Sequence, residues 1–330
     1  MKQIAMCSED LARIRFAISP MLVTVLSLRP LLQDVAVPAV MNDWYQTMVT
    51  GLEGYDLPAL RLFHPVGNHT IDFMFPFPEK VENKFEDELQ HIASTPIDVI
   101  ELEVDNLLHQ GLIHQADRPK YKNLQALQMQ AVEELALVWQ NVMYPNWEKI
   151  HAVLQNDLAY RSRVLTSGGM LALLQGLNTD IQLESADLLS IYTQCQSDLA
   201  IHPNGRGLLF VPFFVSNSSV WLQTDKLTSP IVSYPAFGAA AWNHTVPEME
   251  DSDAMVKLLG KNRARLLSIL AQPTSTKHLA LKLDLTPGAI SQQLGLLKEA
   301  NLITSERHGR SVYYLLSEKG EQLLRLFPEV

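Results

Sequence analysis

The chain has 330 residues, 47% hydrophobic and 19% charged, with ordinary glycine and proline usage, which excludes a disordered, collagen-like or low-complexity protein and allows two domains with substantial cores. Two cysteines, Cys7 and Cys195, cannot build a disulfide framework, so a reducing, cytoplasmic setting is expected. A net charge of −10 argues against a nucleic-acid partner for the chain as a whole, but the sum hides an asymmetry described below.

Reading in chain order, a helix is expected from Ser8, an N-cap residue followed by Glu9 and Asp10 at the positive end of the helix dipole, with Leu11, Ile14 and Ile18 on one apolar stripe. The apolar run FAISPMLVTVLSLRPLL is preceded by two carboxylates and interrupted by Pro20 and Arg29. No small-residue cleavage site follows it, so neither a signal peptide nor a membrane span is expected. Further helices are predicted over 39–52, 81–94, 97–110, 122–143, 146–176 with a break at Gly168-Gly169, and 184–200. From Pro203 to Pro235 the character changes. GLLFVPFFV, SSVWLQTD and PIVSYPA are β-branched and aromatic runs, split by Asn217-Ser218 and Thr228-Ser229-Pro230, and predict a small antiparallel sheet over about 203–237 in which Pro212 marks an edge strand or a bulge. Residues 243–254, NHTVPEMEDSDA, are polar, acidic and aperiodic and predict a linker. The expected fold class is therefore mainly α with a small antiparallel β portion: a large α-rich domain over 1–242 and a separate unit over 255–330.

That last unit carries the opposite charge. Residues 251–330 hold 11 Lys+Arg against 8 Asp+Glu, whereas residues 1–250 hold 15 against 28; within 257–310 the balance is 9 against 3. Its elements read as a helix, MVKLLGKNRARLLSILAQ, ended by Pro273; a short helix, STKHLALKL; a turn around Asp284-Leu285; and a second helix over 286–300, with Thr286 as N-cap and Pro287 at the first helical position. Ile290, Leu294 and Leu297 recur on one face of this helix, leaving Gly288, Ala289, Ser291, Gln292 and Gly295 on the other. Short uncharged side chains suit a helix that must lie close to another surface and hydrogen-bond to it, as a recognition helix does in the major groove, where Gln292 would read a base edge. Asn301 can take the left-handed conformation that closes the helix. LITSER and SVYYLL then read as a hairpin around HGRS, a wing over 303–316 whose tip carries Arg307, His308 and Arg310 for phosphates or the minor groove.

With these residues in view, the segment LLGKNRARLLSILAQPTSTKHLALKLDLTPGAISQQLGLLKEANLITSERHGRSVYYLLSEKG resembles the ArsR-type winged helix-turn-helix transcriptional regulators, AISQQLGLLKEANLI matching their recognition helix and ERHGRSVYYLL their wing. The resemblance covers the last quarter of the chain and implies a homodimeric, palindrome-binding repressor of double-stranded DNA. By position it makes Ser291, Gln292 and Gln293 groove-facing and Arg310 the wing contact, with Thr286, Gly288, Ala289, Lys298, Arg307 and His308 completing the DNA-binding set. Gln293 stands where many members carry His, and Asn301 where most carry Gly. The metal-sensing members place a Cys-x-Cys motif on the helix before the recognition helix; STKHLALKL has no cysteine, which excludes thiolate sensing there. The first 240 residues, opening SEDLARIRFAISPML, are similar to a domain that precedes such winged helices in some bacterial regulators.

Neither enzyme, metal nor cofactor is expected. No GxSxG, HExxH or GxxxxGK[ST] occurs, and GRG at 205–207 is too short for a dinucleotide loop. His64 and His69 in HPVGNH, and His109 with His114, are each five residues apart, which on a helix turns a pair to different faces. For the large domain two roles stand side by side, sensing of a small-molecule effector and dimerisation or partner binding. A ligand-binding or interaction protein that uses the winged helix only as a scaffold is the alternative to a regulator.

Overall fold

The computed structural model describes residues 2–33, 42–64, 71–178, 180–192, 199–214, 220–224, 228–236, 254–270, 274–283, 285–308 and 311–327. The chain runs β1 (Lys2–Ala5), α1 (Ser8–Ala12), β2 (Arg15–Phe16), α2 (Pro20–Leu32), α3 (Asn42–Gly51), α4 (Pro58–Phe63), α5 (Phe85–Ser94), α6 (Ile97–His109), α7 (Leu124–Val138) and α8 (Tyr144–Gln175). A π-helical turn, Trp139–Met143, joins α7 to α8. There follow β3 (Ile181–Ser185), β4 (Leu188–Ile191), β5 (Leu199–Ile201), β6 (Leu209–Phe213), β7 (Trp221–Gln223) and β8 (Ile231–Pro235).

The apolar run near the N-terminus becomes α2, the hub of the helical core. Met21, Val23, Val25 and Leu28 are fully buried and Leu22 and Leu26 nearly so, so the helix is covered on every side. No helix among the described residues is long and apolar enough to cross a membrane. The single helix expected from Ser8 through Ile18 does not form. Pro20 holds Ser19 extended (φ −117°, ψ 107°), and the Ser19 hydroxyl accepts from the Leu22 N–H at 3.0 Å, so α2 starts afresh there. Helix α1 ends at Ala12, and its N-cap is Cys7, one residue before the expected Ser8; the Cys7 N–H donates to the Asp10 carboxylate at 3.0 Å. Leu11 and Ile14 still pack inward, on a second core, but Leu11 does so from α1 and Ile14 from the connection between α1 and β2.

Helices α3, α5, α6 and α7 lie inside the predicted ranges. Helix α8 kinks where the double glycine predicts: Gly169 has φ 74°, ψ −175°, a backbone open to glycine alone at little cost. The predicted helix 184–200 is wrong. That stretch holds β4 and the start of β5, with residues 193–198, including Cys195, outside the described residues. The sheet β3-β4-β1-β5 explains why: β1 lies between β4 (antiparallel, Ile4 opposite Leu189) and β5 (parallel, Ile4 opposite Ile201), so a partner from the chain's beginning overrides local periodicity.

The second sheet, β2-β6-β8-β7, corrects the expected antiparallel arrangement: β6 is parallel to both β2 and β8, and only β7 runs antiparallel. All five residues of β6 are buried, the continuous apolar pattern of a covered parallel strand. Pro212 is therefore in an inner strand and not at an edge. The Ala17 N–H donates to Phe210 O at 3.0 Å and the Ala236 N–H to Phe213 O at 2.8 Å, so alternate positions address β2 and β8. Pro212 falls on the β2 side, past Phe16, where that strand has ended and the missing N–H has no acceptor to disappoint. The expected linker, 243–254, lies outside the described residues apart from Ala254.

Candidate nucleic-acid interface

The carboxy-terminal unit comprises α9 (Ala254–Leu259), α10 (Lys261–Ile269), β9 (Thr274–Ser275), α11 (Thr276–Leu283), α12 (Pro287–Glu299), β10 (Ile303–His308), β11 (Ser311–Leu316) and α13 (Glu318–Arg325). The one helix expected before Pro273 is two, because Gly260 adopts φ 79°, ψ 150° between α9 and α10. The hairpin is three-stranded, since Thr274–Ser275 pairs with Tyr314 and Tyr313 of β11, a strand the sequence did not announce.

Helix α12 forms for local reasons. The Thr286 hydroxyl accepts from the Ala289 N–H at 3.2 Å, and Pro287 occupies the first turn. Ile290, Leu294 and Leu297, at most 2% exposed, seat the helix on Leu266, Leu267, Leu270, Leu279 and Leu283; each buried side chain stabilises the seat by roughly 1.5–3 kcal/mol. Asn301 has φ 57° and closes the helix as expected. The Leu302 N–H then returns to Leu297 O at 3.0 Å, and Ser317 Oγ donates to Asn301 O at 2.6 Å, which fixes the angle between helix and wing.

On the outer side of α12, Thr286, Gly288, Ser291, Gln292, Gly295 and Lys298 are exposed and Ala289 and Gln293 half-buried. A methyl group added to Gly288 or Gly295 would meet nothing within 4 Å. Neither glycine is demanded by packing among the described residues, although each costs roughly 0.5–1 kcal/mol of helix stability relative to alanine. The Ser291 hydroxyl donates back to Pro287 O at 2.8 Å, so it faces outward as an acceptor. The Lys298 ammonium reaches Ser305 Oγ on β10 at 2.6 Å, holding one cation at the junction of helix and wing. Leu296, missing from the sequence-derived set, stands 43% exposed on the same helix; only its place outside the buried triad hinted at this.

Arg307 and His308 lie on β10, opposite Val312 and Ser311 in the register, while Arg310 at the tip is outside the described residues. Of the histidine pairs, His64 is 2% exposed with Nδ1 2.7 Å from Leu60 O, and His69 is outside the described residues. His109 Nδ1 lies 2.7 Å from Asp105 O, and His114 accepts from the Ala116 N–H at 3.2 Å. Among the described residues no three His, Cys, Asp or Glu side chains converge as metal ligands would.

No protein-family model matches the chain. Among characterised proteins, the biofilm growth-associated repressor of Agrobacterium fabrum is 35% identical over 79 residues, which are 22% of this chain and 68% of that repressor. Over that segment the chain belongs to this repressor's family. Among solved structures, reduced HlyU from Vibrio cholerae is 24% identical with a TM-score of 0.20, covering 22% of this chain and 80% of that one.

Proposed function

We propose that the protein is a sequence-specific DNA-binding transcriptional regulator of the ArsR type, a cytoplasmic dimeric repressor in which residues 255–330 bind an operator and residues 1–242 form the dimerisation or sensing domain. Helix α12 enters the major groove, with Ser291, Gln292 and Gln293 toward base edges and Thr286, Gly288 and Ala289 against the backbone. Lys298, from the end of α12, and Arg307, His308 and Arg310, from the wing, contact phosphates or the minor groove. One observation carries this reading: an exposed helix face of glycine, alanine, serine and glutamine, with open space over both glycines, in the basic part of an acidic chain. A merely solvated helix has no reason to keep two destabilising glycines there, whereas a duplex approaching the backbone has. The acidic remainder keeps the large domain off DNA and directs the basic unit to it. Leu258 and Leu326, 63% and 73% exposed, offer apolar surface that a second copy would cover.

Binding to fragments selected from genomic DNA should fall steeply with salt, with a slope that decreases by about one when Arg310 is replaced by Ala, whatever the sequence. Gln292→Ala should instead change the preferred base at one position in each half-site, at a cost of roughly 1–3 kcal/mol. Salt-independent binding, or full activity after neutralising both Arg307 and Arg310, would favour the scaffold alternative. Gly295→Ala separates packing from recognition: it should raise the unit's thermal stability by about 0.5–1 kcal/mol while weakening DNA binding, and a variant that gains stability and keeps its affinity removes the argument from the open face.

A further inference from the structure

Beyond the DNA reading, and independently of it, we infer that the large domain binds a small amphipathic anion, an apolar body bearing one carboxylate, in a cleft between β2, the segment Pro78–Val81 and α8. The cleft encloses about 410 Å³, within the range of small-molecule sites. Ile14, Phe16, Leu158, Leu165 and Leu209 give it apolar walls, with Phe16 held flat by stacking on Phe210 at 5.4 Å. A volume of this kind suits a body of modest length and needs no rearrangement to admit it.

The polar groups give the charge of the occupant. Two exposed cations, Arg15 and Lys80, line the cleft against one carboxylate, Glu79, beside Arg161, whose charge is balanced by the buried Asp157, in a part of the chain where acidic residues outnumber basic ones by 28 to 15. Arg15 is exposed and makes no ion pair among the described residues. Lys80 is only 3.8 Å from Asp87 with both side chains more than half exposed, a pair too weak to withhold the ammonium from a ligand. Arg161, 3% exposed, is a fixed part of the wall: Nε donates to Asp157 at 3.3 Å, and the two Nη atoms donate to Gly176 O and Leu177 O. The Tyr234 side chain is a further hydrogen-bond partner of this guanidinium, which stands 5.3 Å from the centroids of both the Tyr160 and Tyr234 rings, so Arg161 is a rigid polar element of the cleft wall. An apolar slot with exposed cations at its mouth and a pinned guanidinium in its wall suits a carboxylate with a hydrophobic tail.

The test is calorimetric titration of the full chain with decanoate and, separately, with decanol, in the absence of DNA, so that its outcome does not depend on the winged unit. Decanoate should bind saturably, one per chain, with decanol about tenfold or more weaker. The double variant Arg15→Glu with Lys80→Glu should weaken decanoate by at least about tenfold and leave decanol nearly unchanged. Leu165→Glu, at a position already 39% exposed and so compatible with folding, should remove decanoate binding while the circular dichroism spectrum stays that of the wild type. Absence of saturable decanoate binding overturns the inference; equal affinity for decanol overturns its anionic part, and indifference to Leu165→Glu overturns its location.

Discussion

Between about pH 7 and pH 4.5 the Glu88→Gln variant should lose stability relative to the wild type as the solution is acidified, by about 3 kcal/mol across the window. Glu88 lies on α5, is 3% exposed, and accepts the Met21 N–H at 2.8 Å, one of the orphan donors at the start of α2. Burial pushes its carboxyl up to about 7, against the opposing pull of the Met21 N–H and the Ser19 hydroxyl. The folded protein therefore keeps a proton that the unfolded chain releases near 4.5, and stability from this group falls as pH rises through the interval. His64 does the reverse. Burial, reinforced by the Arg29 cation and resisted by the Leu60 and Val25 carbonyls, holds its imidazole down to about 4 against an ordinary 6.5. Its contribution is present above 6.5 and is lost as pH falls toward 4. The two slopes nearly cancel in the wild type. Glu88→Gln keeps a carbonyl for Met21 and exposes the histidine slope; His64→Gln should expose the opposite one. Denaturant midpoints over a pH series read both, and variant curves parallel to the wild type would show that neither group is buried as described.

The largest single loss is expected at Asp157. Its carboxylate, fully buried on α8, accepts from the Tyr234 hydroxyl of β8 and from Arg161 Nε, while Arg161 also holds the Gly176 and Leu177 carbonyls at the end of α8. This cluster ties the middle of α8 to its own C-terminus across the Gly169 kink, and to the second sheet. Asp157→Ala leaves a buried guanidinium without its counter-charge and should cost about 3–5 kcal/mol. Tyr234→Phe removes a hydrogen bond and should cost about 1–2 kcal/mol. Asp157→Leu combined with Arg161→Met removes both charges and should recover most of the loss, because the desolvation penalty goes with them. Equilibrium unfolding of the three variants measures this; additive losses in the double variant would mean that the two charges do not compensate one another.

How much was legible depends on the reach of each interaction. Thr286, Pro287 and the Ile290-Leu294-Leu297 spacing specify α12 within a few residues of chain, and Asn301 closes it, so the helix, its outward face and the hairpin were all readable. The double glycine of α8 was readable for the same reason. Gly260 was readable in principle, but it interrupts an apolar period that otherwise runs through it, and only its positive φ shows that the break won. In the candidate interface, the outward set was legible from helix geometry, whereas the Lys298–Ser305 bond and the third wing strand were not, since each joins residues brought together by folding.

The sequence alone determined where local chemistry is decisive: capped helices, the break in α8, a basic unit following an acidic one, and an uncharged helix face beside a hairpin. Tertiary structure alone decided the strand partners of Lys2–Ala5, the parallel course of β6 and β8, the depth at which Glu88, His64, Asp157 and Arg161 lie, and the cleft beside α8. Capping and periodicity act over a turn or two of chain, so they leave a mark in the order of residues. Sheet pairing and desolvation depend on which distant segments meet, and that is set only when the whole chain has packed.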